Sequence, residues 1–367
     1  MNKSTITVGE LQKMLEEGKP VTILDVRPQE QRDEWKIAGS YHVDAYKRLN
    51  EGDKSILDKI QLPENMVVVT VCAAGRTSQI ASEALREKGL DAVSLEGGMK
   101  AWNYAWNTAQ ITNNNVTIIQ VRRVAKGCLS YIIGSGDEAI VIDASLEPKV
   151  YVDIAAKHNW TIKYVMDTHV HADYLSRTIE LANATAAVHL FTAKAAVDYK
   201  YTPVQDNEEI PFGSAKIAMM FTPGHTPESI SYLINGDYLF TGDTLFVDGV
   251  GRPDLKVEPK QAQQNAEQLY NSLKRILALG QNVMILPAHT SGAVAFDGKL
   301  IGDMLSNLSA KIELLQMRQD AFIDQTIKRI PPTPPNYLQI ALLNKAGSFD
   351  GINPADLEAG ANRCAVS

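Results

Sequence analysis

The chain has 367 residues, 45% hydrophobic and 22% charged, which is apolar enough for two globular domains and excludes a disordered chain. Its 36 basic and 43 acidic residues leave a net charge of −7, the wrong sign for a surface that wraps nucleic acid and the right one for a protein that handles small molecules. Three cysteines cannot form a disulfide framework, no apolar run approaches the ~20 residues of a membrane span, and the N-terminus runs into Glu10, Glu16 and Glu17 rather than an apolar signal segment. The expectation is a cytoplasmic protein with no membrane partner.

Residues 4–107 alternate helix and strand signals. Thr7 and Glu10 form a capping box ahead of an apolar face of Val8, Leu11, Met14 and Leu15, and Gly18 and Pro20 close that helix. The short apolar runs 21–26, 67–72 and 91–95 are predicted strands. Between the last two lies a helix carrying Ile80, Ala84 and Leu85, closed by Gly89. Strands alternating with helices predict a mostly parallel α/β sheet. Residues 108–115 are polar and without periodicity, and are predicted to be a linker. Strands are then predicted at 116–121, 129–134, 138–143, 164–166, 215–221, 229–234 and 283–286. A helix over 259–280 places Leu269, Leu273, Ile276 and Leu277 on one face. Residues 297–330 are predicted helical, the proline-rich stretch 331–335 stops them, and 331–367 form a C-terminal extension.

Cys72 ends an apolar run, and Ala73, Ala74, Gly75, Arg76, Thr77 and Ser78 lead straight into a helix. Backbone N–H groups of such a loop, together with the helix N-terminus, make an anion cradle that favours a thiolate and could hold a persulfide. The alternative for a single cysteine is a buried, inert thiol. The stretch 72–78 resembles the C-x-x-G-x-[RT] loop of rhodaneses. Leu95-Glu96-Gly97-Gly98-Met99-Lys100-Ala101-Trp102 is similar to their L-x-G-G-x-x-x-W signature, and Leu24-Asp25-Val26-Arg27 to their D-V-R entry. This resemblance implies a sulfurtransferase domain over residues 1–107 with Cys72 carrying sulfane sulfur. Ala73 stands where many thiosulfate-using members have Arg. The related phosphatase loop places its arginine where Ser78 stands here, which disfavours phosphate.

Three histidine-bearing stretches and one aspartate-bearing stretch follow in order. They are Thr168-His169-Val170-His171-Ala172-Asp173-Tyr174, Pro223-Gly224-His225-Thr226, Thr241-Gly242-Asp243 and Pro287-Ala288-His289. Imidazoles and a carboxylate at strand ends can converge as a first-row metal site. A single histidine of this kind is more often structural, but four in order argue for a site. The order resembles the metallo-β-lactamase fold over 116–330, and within it the persulfide dioxygenase family. That resemblance implies an αβ/βα sandwich and one Fe(II) per chain held by His169, His225 and Asp243. Two-metal relatives of the glyoxalase II type continue H-x-H-x-D-H, and their last His is Tyr174 here. His171, Asp173, Tyr174 and His289 then become residues that orient the ligands or water.

The expected architecture is therefore an α/β rhodanese domain followed by a metallo-β-lactamase sandwich. The resemblance implies oxidation of a low-molecular-weight thiol persulfide, such as glutathione persulfide, by O2 to sulfite. Cys72 would exchange sulfane sulfur with sulfite or thiosulfate, and a homo-oligomer is allowed. The alternatives are a zinc thioester hydrolase of the glyoxalase II type fused to a rhodanese, and a non-catalytic sulfur carrier. Arg252, in the glycine-rich Gly249-Val250-Gly251-Arg252-Pro253-Asp254 stretch, is a candidate for pairing with a substrate carboxylate. Cys128 and Cys364 are assigned to packing and solvent exposure respectively.

Overall fold

The computed structural model describes residues 3–63, 65–254, 259–292, 294–333, 335–360 and 363–366. Of the proline-rich stretch 331–335, position 334 lies outside the described residues. At the N-terminus the Thr7 side chain accepts from Glu10 N, and Glu10 reaches back to Thr7 N, which starts helix Val8–Glu16 as the capping box requires. Five parallel strands lie in the order Thr5–Ile6, Ala92–Leu95, Val67–Val71, Val21–Asp25, Tyr41–His42. The valine run is buried on both faces, as a parallel sheet demands. Val68 packs with Ala81, Ala84 and Leu85 of helix Arg76–Glu87, while Val69 and Val71 face Leu95, Met99 and Trp102. The D-V-R residues are structural. Arg27 and Asp25 form a buried ion pair at 2.7 Å beneath the sheet's end.

The second domain is a sandwich of a seven-stranded and a six-stranded sheet. Ile118, Tyr131, Ile133 and Ile142 of the first sheet interdigitate with Ile217, Met219, Tyr232 and Phe240 of the second. Tyr151, Ile154 and Leu181, from helices Pro148–Lys157 and Thr178–Thr185, cover the outside of the seven-stranded sheet. Leu269, Leu273 and Ile276 of helix Pro259–Leu277 cover the other sheet, together with Leu305 and Phe322. The layers are thus αβ/βα.

Three expectations are corrected. Residues 108–113 are not a linker but belong to strand Trp106–Asn113, the outer strand of the seven-stranded sheet. It pairs along its whole length with Val116–Arg123 through a two-residue turn at Asn114 and Asn115, whose φ values of 46° and 64° mark a type I′ hairpin. Asn107 and Ala109 face inward and Thr108 and Gln110 outward, a period-two pattern hidden by polar side chains on an edge strand. Residues 297–330 are not continuously helical. Strand Asp303–Met304 joins the six-stranded sheet first, and helices Leu305–Lys311, Glu313–Gln316 and Gln319–Lys328 follow. The C-terminal segment is integral to the domain. Helix Tyr337–Ala346 buries Ile340, Ala341 and Asn344, and strand Ala365–Val366 pairs antiparallel with Val250–Gly251.

The two domains share one apolar seam. Trp102 and Ala105 pack in a single cluster with Val124, Ala125 and Val294, and the Trp102 ring lies 6.5 Å from that of Phe296.

Candidate metal centre and cysteine loop

His169 follows strand Thr161–Met166, His225 follows Ala215–Phe221 and Asp243 follows Tyr238–Gly242, so three strand ends deliver three donors to one rim of the sandwich. Gly242 makes the approach possible. Its φ is 55°, and a Cβ there would stand 2.5 Å from Thr168 Oγ1. Asp243 Oδ2 lies 3.7 Å from His169 Nε2 and 3.5 Å from His225 Nε2, and the three donor atoms are mutually within 4.8 Å. His225 Nδ1 donates to Arg252 O at 2.9 Å, which leaves Nε2 as the lone pair facing Asp243. His225 Nε2 and Asp243 Oδ2 are buried without a hydrogen-bond partner. Orphaned polar atoms of this kind are costly unless something binds them. Two imidazoles and one carboxylate fit a divalent first-row cation with positions left open.

The electrostatics agree with a cation site. Burial would raise the Asp243 carboxyl, but the facing His289 and His169 outweigh it and hold it well below the carboxylate range. Burial pushes His169 and His225 down, so both rings are neutral and able to ligate. Burial also opposes charge on His289, yet Asp173 and Asp243 on either side win and push it up.

The remaining motif residues occupy themselves elsewhere. His171 Nε2 meets Asp143 Oδ1 at 3.0 Å and stacks on Tyr174, with ring centroids 4.3 Å apart. Tyr174 is fully buried and its hydroxyl donates to Asp143 O at 3.3 Å. His289 Nδ1 meets Asp243 Oδ1 at 2.5 Å, and its Nε2 stands 2.9 Å from Asp173 Oδ2, an ion-pair contact without hydrogen-bond geometry. His289 therefore links the carboxylates of Asp173 and Asp243. Cavities flank the cluster on two sides. One of about 250 Å³ is lined by Asp167, His169, His171, Tyr199, Asn344 and Phe349. The other, of about 160 Å³, is lined by Phe246, Asp248, His289, Thr290 and Arg363.

Arg252 does not offer its guanidinium to a substrate. It is 1% exposed, ion-paired with Asp254 at 2.8 Å, and donates to Arg363 O at 3.2 Å. Its loop passes under the C-terminal strand, so the side chain is spent on holding that strand. Three residues missed from the sequence support the loop that carries the centre, and a fourth is placed differently from its expectation. Asp143 accepts from Thr168 N at 2.7 Å and engages His171. Asn344 Nδ2 donates to His171 O and Tyr174 O, at 2.8 and 2.7 Å. Glu358 accepts from Leu175 N at 2.9 Å while pairing with buried Arg123 at 2.8 Å. Cys364, expected to be exposed, is buried. Asp143 carried a signal, an acidic residue ending an apolar strand; the others come from a segment whose sequence shows no motif.

In the first domain, Cys72 Sγ accepts from Gly75 N at 3.1 Å and from Ser78 Oγ at 3.3 Å, and Ser78 is itself linked to Ser94 at 2.8 Å. The loop is clamped from behind, because Met99 N donates to Cys72 O at 2.8 Å and Lys100 N to Ala73 O at 3.0 Å. Gly98 permits this approach. With φ 55°, any Cβ there would lie 2.2 Å from Cys72 O. Thr77 donates to Asn50 at 3.2 Å, and Ala74 and Arg76 are exposed at the mouth.

Residues 7–105 match the rhodanese-like domain family and residues 123–289 the metallo-beta-lactamase superfamily. A hydroxyacylglutathione hydrolase of Prochlorococcus marinus is 32% identical over 162 residues, 41% of this chain and 60% of that protein. The mitochondrial persulfide dioxygenase ETHE1 of Bos taurus is 29% identical over 170 residues, 45% of this chain and 65% of that protein. The chain thus spans about three fifths of the length of the curated relatives it matches. The crystal structure of ETHE1 from Myxococcus xanthus superposes with a TM-score of 0.54 at 26% identity, covering 66% of this chain and 99% of that one.

Proposed function

Because this chain joins a rhodanese-like domain, residues 7–105, to a metallo-beta-lactamase superfamily domain, residues 123–289, we propose that it oxidises a low-molecular-weight thiol persulfide with O2 and one water to sulfite, free thiol and two protons, and that Cys72 exchanges sulfane sulfur with the same pool. His169, His225 and Asp243 would hold one Fe(II). Iron held there would supply the redox chemistry for an O2-dependent oxidation of the terminal sulfur. The protein's part is positional. Arg252 O fixes the His225 tautomer, Thr168 bonds the His169 ring at 3.0 Å, and His289 pins one Asp243 oxygen so that the other faces the imidazoles. Gly75 N and Ser78 Oγ give the sulfur on Cys72 two donors, which suits an anionic persulfide.

One observation carries the choice of a mononuclear centre. In the place of a second metal's imidazole stands buried Tyr174, His171 is committed to Asp143, and His289 is bracketed by two carboxylates. The test is O2 uptake with glutathione persulfide on iron-loaded protein together with metal analysis. Uptake with one iron per chain supports the reading. Two tightly bound zinc ions with thioester hydrolysis and no uptake reject it. The glyoxalase II-type hydrolase stays the second reading because hydroxyacylglutathione hydrolases are as similar to this chain as the dioxygenase.

A further inference from the structure

The end of the chain brings a thiol to the donor cluster. Strand Ala365–Val366 pairs with Val250–Gly251, and Arg252 N donates to Cys364 O at 3.0 Å. The Arg252 side chain holds the carbonyl of Arg363, and its own carbonyl receives His225 Nδ1. One residue thus fixes both an imidazole of the centre and the backbone at Arg363 and Cys364, just ahead of the C-terminal strand. Cys364 is 5% exposed, and its Sγ lies with a carboxylate oxygen of Asp243 and a ring nitrogen of His289, all within 4.8 Å of one another. Asp243 belongs to this set and to the set with His169 and His225. Its Oδ2 is buried and makes no hydrogen bond. Sulfur next to nitrogen and oxygen donors suits a borderline divalent cation such as Fe(II), Co(II) or Zn(II).

We propose that Cys364 is a sulfur ligand of the metal centre, presented by the C-terminal strand. This rests on the reading that a cation is held at His169, His225 and Asp243. On binding, the S–H bond of Cys364 breaks, the proton leaves to solvent, and the sulfur lone pair forms the bond to the cation, with no change of oxidation state. A protein sulfur then stands beside the centre that is to receive a substrate sulfur. The 160 Å³ cavity is lined by His289 and by Arg363 and Ala365, the two neighbours of Cys364 in the chain.

The experiment loads the metal-free full chain with one equivalent of Co(II) under anaerobic conditions and records the near-ultraviolet thiolate-to-cobalt charge-transfer band. The band is expected in the wild type. It is expected at full intensity in Cys72→Ser/Cys128→Ser, which keeps Cys364 as its one thiol. In Cys364→Ser it should vanish while the visible ligand-field bands of cobalt remain. A band that persists in Cys364→Ser, or bound cobalt without a band in the double variant, overturns the proposal. The outcomes separate from failure of the parent reading, in which the wild type binds no cobalt or His225→Ala binds it as well as the wild type.

Discussion

Arg252 shows how much one side chain can organise. Its backbone carbonyl orients His225, its amide holds Cys364, and its guanidinium is buried against Asp254 and two carbonyls of the C-terminal segment. Arg252→Ala should therefore lower stability by about 2–3 kcal/mol, since hydrogen bonds to a charged group are lost. It should also weaken metal retention while leaving KM for the persulfide near wild type in protein that stays loaded; urea unfolding and metal analysis measure both. His189 is a second such residue. Burial pushes it down to about 4 from an ordinary 6.5, and its Nε2 has no hydrogen-bond partner. The folded state resists protonation there, so its contribution is fully present above pH 6.5 and is lost as pH falls toward 4. The loss amounts to about 3 kcal/mol at 1.36 kcal/mol per unit. His189→Phe should flatten the Tm-against-pH curve across that window, and an unchanged slope would reject the assignment.

At the level of elements, the hairpin at Asn114 and Asn115 joins the two outermost strands at one edge of the seven-stranded sheet, and both residues hold positive φ. A β-branched residue is strained in that conformation by about 1–2 kcal/mol, so Asn115→Val should lower Tm while Asn115→Gly should not. Periodicity made most of the architecture legible. The capping box at Thr7, the both-face burial of the valine run and the stripe from Leu269 to Leu277 are local patterns with one physical meaning. Strand Trp106–Asn113 was hidden because an edge strand keeps one face polar. The convergence of His169, His225 and Asp243 was legible because strand ends carry all three. Asn344 and Glu358 were not, since their partners are backbone atoms of the loop after His169, set by tertiary packing alone.

Over the whole molecule, the last residues lock onto both domains. Lys100 of the first domain pairs with Asp356, and Glu358 answers Arg123, which is fully buried. Glu358→Gln keeps the shape but leaves a buried cation without its counter-charge. Breaking such a pair costs about 3–5 kcal/mol, and chemical denaturation should show a loss of that order. The two chemistries should nonetheless separate. Cys72→Ser should abolish sulfur transfer and leave O2 uptake with free glutathione persulfide near wild type, while His225→Ala should do the reverse. Loss of O2 uptake in Cys72→Ser at unchanged iron content would make the Cys72 persulfide an obligatory donor. The seam around Trp102 has a calorimetric meaning as well. Because Trp102 and Ala105 share a core with Val124 and Val294, neither domain can melt without laying bare the other's apolar surface. A heating scan should register a single cooperative transition, and a protein cut after residue 107 should yield two halves that aggregate rather than two autonomous enzymes.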